Sequence, residues 1–174
     1  TSFRTSDFNL KIERQLELLS SFREANSYEQ WERNSAFQER YYDFLKENGF
    51  LSGDAPRKDK DARQKTSGLC DIGLVTAERR LTPAGERLLY VSKEGDFGTD
   101  GNILQLPADS FLYFKQLLKT YTTVEGSTVR PYAVLALMLD ELGYLTGEEF
   151  TYLLPLVTTA ARMRQITEGI KRLR

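Results

Sequence analysis

Several residue types are absent or scarce, and each absence excludes a class of site. The 174 residues contain no histidine and a single cysteine, Cys70. Without histidine the chain cannot build a Ser-His-Asp or Cys-His nucleophilic site, or a histidine-ligated zinc or iron site. One cysteine allows neither an internal disulfide nor a thiolate metal centre, so we expect no cofactor here and a reducing, cytoplasmic setting. No apolar run approaches the roughly 18–20 residues of a membrane helix, and we expect no membrane partner.

An excess of either charge is also lacking. The chain has 24 basic and 25 acidic residues, a net charge of −1, and 40% hydrophobic residues. This composition is typical of a globular chain and argues against a protein that coats a polyanion through its bulk charge. If nucleic acid is the partner, the basic side chains must gather on one face. Because the chain begins with Thr1 and no secretory signal follows, we expect it to be part of a longer chain.

Apolar residues recur mostly at helical spacing, which predicts a mainly α fold. Trp31 lies in the apolar stripe of the second predicted helix, and Thr82-Pro83 is a helix-opening pair. Thr146 and Glu149 fit a capping box, and Gly169 is predicted to break the last helix weakly. A glycine- and aspartate-rich loop over 92–105 predicts a boundary between two tandem helical subdomains, 1–95 and 96–174. The predicted helices cover residues 9–23, 28–48, 57–72, 84–91, 107–121, 131–142, 148–154 and 159–174.

One β element is predicted, between the third and fourth helices. Leu74-Val75-Thr76 and Arg80-Leu81 are short β-prone pieces, and Ala77-Glu78-Arg79 between them is typical of a tight hairpin. A basic helix, a hairpin and another helix follow one another in the order of a winged helix-turn-helix. The predicted fold is therefore mainly α with a small β-hairpin, and winged-helix-like in residues 1–95.

The basic stretch within this winged-helix-like segment is the candidate binding site. A helix fits the major groove of duplex DNA, and Arg and Gln side chains make paired hydrogen bonds with guanine and adenine edges. We predict that the bases are approached by Arg63, Gln64 and Lys65. Phosphates are predicted to be held by Arg57, Lys58, Lys60, Arg79 and Arg80. The alternative interpretation is a solvated helix face in a domain that binds protein or nothing.

A nuclease motif of the common restriction type is missing. Such a site needs carboxylates on a metal ion and a lysine near the attacking water, with the pattern Asp/Glu-x-Lys. No acidic residue here has lysine two positions later; the nearest approach is Glu78-Arg79-Arg80. We therefore expect no catalytic residue in this chain.

In its order of motifs, the chain resembles the N-terminal DNA-recognition region of type IIS restriction and nicking endonucleases of the AlwI type. The resemblance covers nearly the whole length. The pieces that carry it include Ser2-Phe3-Arg4-Thr5-Ser6, Ala62-Arg63-Gln64-Lys65-Thr66-Ser67-Gly68, Leu81-Thr82-Pro83-Ala84-Gly85, the stretch from Arg130-Pro131 to Gly143-Tyr144-Leu145, and Thr158 to Arg174.

This resemblance implies a division of labour. In such enzymes the recognition region reads a short asymmetric site in duplex DNA, and a separate C-terminal domain, expected to use Mg²⁺, cuts at a fixed distance. It implies that Ser67 lies in or beside the DNA-facing segment and that Arg4 belongs to an arm near the DNA. We expect a monomeric module whose partners are duplex DNA and the cleavage domain of the same parent chain.

Two other functions remain open from the residues alone. A stand-alone winged-helix transcription regulator would usually be a symmetric dimer on a palindrome. A winged-helix protein-interaction module without a DNA role is compatible with the near-neutral net charge.

Overall fold

The computed structural model describes residues 8–94, 108–124 and 126–174, and it divides the chain into two compact units. The N-terminal unit is Thr1–Tyr113 and the C-terminal unit is Phe114–Arg174. The subdomain boundary predicted between residues 95 and 96 lies outside the described residues. The fold is mainly helical with one small antiparallel sheet of two strands, β1-β2.

Helices make up most of the N-terminal unit. They are α1 (Phe8–Ala25), α2 (Ser35–Glu47), α3 (Lys58–Asp71), α4 (Pro83–Glu94) and the start of α5 (Ala108–Lys119). The prediction that a helix ends before Gly73 is confirmed, because α3 ends at Asp71 and Gly73 has a φ of 71°, which favours glycine. That a helix begins at Pro83 after Thr82 is also confirmed.

The predicted start of the second helix is wrong. Residues 28–34 form turns and irregular backbone, so Trp31 lies before the helix. Arg33 has a φ of 56°, which is incompatible with a helix, and the Asn34 side chain accepts a hydrogen bond from the Phe37 backbone N–H at 3.1 Å. An asparagine cap of this kind satisfies a backbone donor that the first turn leaves free, so the helix begins at Ser35.

Between α3 and α4 the chain makes the predicted tight turn. It is shorter than a two-stranded hairpin, with one antiparallel bridge between Val75 and Leu81. Inside it, the Thr76 N–H donates to the Arg80 carbonyl at 2.8 Å. We call residues 74–81 the α3–α4 turn.

Glycine is required where α4 starts. A Cβ atom at Gly85 would lie 2.2 Å from the Leu74 carbonyl oxygen, so only glycine lets the first turn of α4 approach the α3–α4 turn this closely. The Thr82 hydroxyl donates to the Gly73 carbonyl at 2.7 Å and accepts from the Gly85 N–H at 3.3 Å. These contacts fix the α3–α4 turn against α4.

An aromatic cluster occupies the centre of the N-terminal unit. Phe37 is fully buried and stacks on Phe22 with ring centroids 5.0 Å apart, and Trp31 meets Tyr41 edge-on at 5.6 Å. Burying one such side chain stabilises a fold by about 2–3 kcal/mol. The other fully buried large side chains of this unit include Ile12, Leu16, Leu19, Leu45, Leu69, Leu74 and Leu88.

In the C-terminal unit, α5 ends at Lys119, and two short strands follow, β1 (Thr122–Val124) and β2 (Ser127–Val129). No strand was predicted here, and the predicted helix extended to Tyr121. Helix α6 (Pro131–Leu142) has its predicted bounds, closed by Gly143 at a φ of 77°.

One segment of the C-terminal unit that was predicted to be an α-helix has a different helical geometry. The predicted helix over 148–154 is instead a π-helical turn, Glu149–Leu153, followed by a 3-10 turn, Leu154–Leu156. The predicted capping box is confirmed, because Thr146 and Glu149 exchange hydrogen bonds of 2.7 and 3.2 Å. Helix α7 (Ala160–Leu173) closes the unit and is not broken at Gly169.

The core of the C-terminal unit is small. Its buried hydrophobic residues in the described segment are Met138 on α6, Val157 before α7, and Ile170 on α7. The side chains packed around them are only partly buried: Val134, Leu142, Leu145, Leu153, Leu154, Met163 and Ile166.

Candidate nucleic-acid interface

Helix α3 carries a polar face that the N-terminal unit leaves exposed. Lys60, Gln64 and Lys65 are exposed, and Ser67 is partly buried. Residues 60, 64 and 67 are spaced by four and three positions, which places them on one stripe of the helix. The Ser67 hydroxyl donates to the Gln64 carbonyl at 2.9 Å. Four of the predicted contact residues therefore lie on or beside the stripe, which we call the α3 outer face.

The other basic residues of α3 pair with carboxylates of the same unit. Arg57 and Arg63 approach the nearly buried carboxylate of Asp59 at 3.4 and 3.0 Å. Burial acts to raise the pKa of Asp59, but the Lys60 backbone N–H and the two guanidinium groups outweigh it and hold the pKa below its ordinary value. The carboxylate therefore stays charged and partly neutralises the basic stretch.

Arg63 also connects α3 to α2. Its Nη1 donates to the side-chain oxygen of the buried Gln38, whose Nε2 donates to the Trp31 carbonyl at 2.7 Å. This chain of hydrogen bonds fixes the rotation of α3 about its axis. That Arg63 approaches bases stays a prediction; its guanidinium is held against Gln38 and Asp59.

Lys58 is paired too, at the start of α3. Its ammonium lies 2.7 Å from a carboxylate oxygen of Asp43 on α2 and 5.9 Å from the centre of the Tyr42 ring. The hydrogen bond to Asp43 raises the pKa of Lys58. The ammonium remains a charged group at the surface.

Arg79 is held inside the α3–α4 turn. Its φ of 56° lies in the left-handed region, and its Nε donates to the hydroxyl of the buried Thr66 at 2.8 Å. Nη1 donates to the Ala77 carbonyl at 2.7 Å, and the guanidinium lies 5.4 Å from the centre of the Trp31 ring. Arg79 thus fastens the turn to α3 and to the segment before α2.

The neighbouring Arg80 is exposed and donates to the Ser27 carbonyl. It lies near Arg23, which is buried. Burial lowers the pKa of Arg23, and the charge of Arg80 lowers it further. On the same side, the Glu78 carboxylate accepts from the Trp31 backbone N–H at 2.7 Å. Of the two arginines predicted for the turn, Arg80 is thus the more accessible.

The remaining predictions concern the N-terminal arm, metal ions and the membrane. Arg4 lies outside the described residues. Within residues 8–94, 108–124 and 126–174, no group of three or more Cys, Asp or Glu side chains could hold a metal ion. None of the helices in that part of the chain is both long and apolar enough to cross a bilayer.

Three polar residues of this region escaped the sequence analysis. Asp59, Gln38 and Thr66 are all nearly or fully buried, and each bonds to an arginine of the predicted site. Asp59 had a local signal, because it stands four residues before Arg63 on the same helix. The pairings of Gln38 and Thr66 join distant positions and had none.

Comparison with known proteins identifies the family. Residues 70–174 match the family model described as AlwI restriction endonuclease. The chain belongs to the AlwI restriction endonuclease family. Its function is therefore related to that of restriction enzymes, whose partner is DNA. The match covers α4 to α7 and the α3–α4 turn but not the α3 outer face. No curated protein and no solved structure matches the chain.

Proposed function

We propose that this chain is a sequence-specific duplex-DNA recognition module of a type IIS-like restriction endonuclease, with DNA contacts on α3 and the α3–α4 turn. The observation that carries the proposal is the α3 outer face, which presents Lys60, Gln64 and Lys65 to solvent beside a turn fixed by Arg79. The order of α2, α3, turn and α4 supports the winged helix-turn-helix interpretation. Membership of a restriction-enzyme family supplies DNA as the partner.

The roles divide according to how each side chain is held. Gln64 and Lys65 approach base edges, because amide and ammonium groups on an outward helix face can enter the major groove. Phosphates are contacted by Lys60, Arg57 and Arg80. Lys58, at the start of α3, contacts a phosphate at the edge of this interface. Arg63 and Arg79 position the helix and the turn.

Cleavage chemistry belongs to a separate domain in this proposal. The chain lacks the Asp/Glu-x-Lys pattern of a restriction nuclease. A cleavage domain of the same parent protein would supply the carboxylates and bind Mg²⁺.

The test compares a base-reading residue with a phosphate-holding one. The probes are a duplex enriched from a random pool by the wild-type chain and a shuffled duplex of equal composition. Gln64→Ala is expected to lower affinity for the enriched duplex by about 1–3 kcal/mol and to leave the shuffled duplex unaffected. Lys60→Ala is expected to weaken both duplexes alike and to reduce the slope of log K against log salt by about 1.

Arg87→Ala is the control, because Arg87 is an exposed arginine on α4 rather than α3. Its guanidinium lies over the ring of Tyr90 on the same helix. It should bind both duplexes nearly as the wild type does. If the wild-type chain binds no duplex at low salt, the proposal is wrong, and a protein-interaction module becomes the better explanation. Binding as a symmetric dimer to a palindrome would instead favour a transcription regulator.

A further inference from the structure

We infer that the β1-β2 hairpin of the C-terminal unit is a second DNA-contacting element, whose outer face enters the major groove. This inference rests on the proposed function, since it assigns another contact to the same ligand. The hairpin lies in Thr122–Val129, outside every residue that the sequence predicted to touch DNA.

The register of the hairpin separates its side chains into two faces. Thr122 pairs with Val129, Thr123 with Thr128, and Val124 with Ser127. Residues directly opposite each other share a face, and successive residues alternate between faces. Thr123 and Thr128 therefore lie together on one face, which we call the hairpin outer face.

Arg130 extends this face by one position. Its φ of −106° and ψ of 91° continue the extended backbone of β2, so it follows the same alternation as Thr128. Thr123, Thr128 and Arg130 are all exposed. On the opposite face Ser127 and Val129 are partly buried, and Thr122 and Val124 are exposed. The outer face thus presents two hydroxyl groups and one guanidinium to solvent.

These groups suit the floor and walls of a DNA groove. A two-stranded ribbon has strands about 4.8 Å apart and fits the major groove, which is about 12 Å wide. Threonine hydroxyls bond to base edges or phosphates, and arginine binds guanine or phosphate through two parallel hydrogen bonds.

The sequence on either side of the hairpin has an excess of basic residues, which favours a polyanion as the partner. Lys115 and Lys119 on α5 are exposed on the N-terminal side of the hairpin, and Arg130 lies on its C-terminal side. From residue 115 to 130 the sequence has these three basic residues and one acid, Glu125, which lies outside the described residues. The local charge is therefore positive in a chain whose net charge is −1.

The test uses one substitution on the two faces of the same strand. Thr123→Val and Thr122→Val each remove one hydroxyl and keep a β-branched side chain, so both should preserve the hairpin. Thr123→Val is expected to weaken binding to the enriched duplex about 3- to 10-fold, as for one lost hydrogen bond. Thr122→Val should stay within about twofold of the wild type, and Arg130→Ala should lose about 10-fold or more. Circular dichroism checks that all three variants fold.

Two results would overturn the inference. One is wild-type affinity of Thr123→Val and Arg130→Ala while Lys65→Ala is weakened, which leaves the proposed function intact. The other is an equal loss in Thr122→Val and Thr123→Val, which contradicts the assignment of faces. Absence of any duplex binding by the wild-type chain would overturn the proposed function along with the inference.

Discussion

The N-terminal unit buries a central cluster of large aromatic side chains, with Tyr28 and Tyr90 exposed at its surface, whereas the C-terminal unit leaves many of its own in solvent. Trp31 and Phe37 are 2% and 0% exposed, while Tyr144 and Tyr152 are 58% and 69% exposed. The first unit has a dense core that fixes the rotation of α3 and the geometry of its turn. The second presents its polar and aromatic groups outward. A rigid core that supports an exposed face is the arrangement a recognition surface needs, because ordering the surface before binding lowers the entropic cost of the complex.

Polar contacts at the end of α7 join it to other parts of the C-terminal unit. Arg174 pairs with Glu149 at 2.7 Å, donates to the Tyr144 carbonyl at 2.9 Å, and lies 3.8 Å from the centre of the Tyr144 ring. Lys171 pairs with Glu141 at 2.7 Å, which joins α7 to α6. An exposed pair such as Lys171–Glu141 stabilises a fold by at most about 1 kcal/mol. Single substitutions should therefore have larger effects in the N-terminal unit.

The largest expected effect is the removal of a central ring. Phe37→Ala should lower the free energy of unfolding of the N-terminal unit by about 3–5 kcal/mol, because it leaves a cavity among Phe22, Trp31 and Tyr41. Tyr152→Ala, in the exposed set of the other unit, should stay within about 0.5 kcal/mol. Urea unfolding followed by circular dichroism compares the two variants, and the fluorescence of Trp31, the only tryptophan, reports the N-terminal unit separately. Similar losses in the two variants would contradict the contrast between the units.

Replacing a glycine by alanine should destabilise the N-terminal unit and stabilise the C-terminal unit. Gly85→Ala would bring a Cβ to 2.2 Å from the Leu74 carbonyl and should destabilise the N-terminal unit by about 1–3 kcal/mol. Gly169→Ala meets no atom within 4 Å in α7 and should stabilise the C-terminal unit by about 0.4–1 kcal/mol. Circular dichroism during thermal unfolding measures both. A Gly85→Ala variant as stable as the wild type would mean that α4 does not approach the turn closely.

The smallest effect is a dependence on pH in the C-terminal unit. The hydrogen bond from Arg174 holds the pKa of Glu149 below its ordinary value of 4.5, and the Thr146 backbone N–H acts in the same direction. A carboxyl whose pKa is lowered in the folded state stabilises the fold fully when the pH is above its ordinary pKa. This stabilisation is lost as the pH falls through the lowered pKa. Melting temperatures at pH 7 and pH 3 should therefore differ more in the wild type than in Glu149→Gln. An equal difference in both proteins would show that this pair is not formed.

The sequence predicted regular elements where local signals decide them. Gly143 and the pair Thr146 and Glu149 ended and began segments as expected, because caps act within one turn of the chain. The start of α2 was missed because the cap at Asn34 outweighed the apolar stripe that continues back to Trp31. The β1-β2 hairpin had a signal that was overlooked, two runs of β-branched residues on either side of Gly126.

The candidate site was predictable only in part. The basic stretch and its place on a helix could be read from local spacing, and Lys60, Gln64 and Lys65 are exposed on α3. Which cations pair with carboxylates depends on how α2 packs on α3, since Lys58 finds its partner Asp43 only through that contact. The left-handed backbone of Arg79 is likewise set by tertiary contacts, with Thr66 and Trp31.

Base preference of the α3 outer face is the most direct test of the account. The wild-type chain and Gln64→Ala are each used to select duplexes from the same random pool, and the enriched sequences are compared position by position. If the α3 outer face reads bases, we expect one short asymmetric sequence for the wild type. For Gln64→Ala we expect the same sequence with a single relaxed position. An unchanged preference at every position, or no enrichment by the wild-type chain, would contradict it.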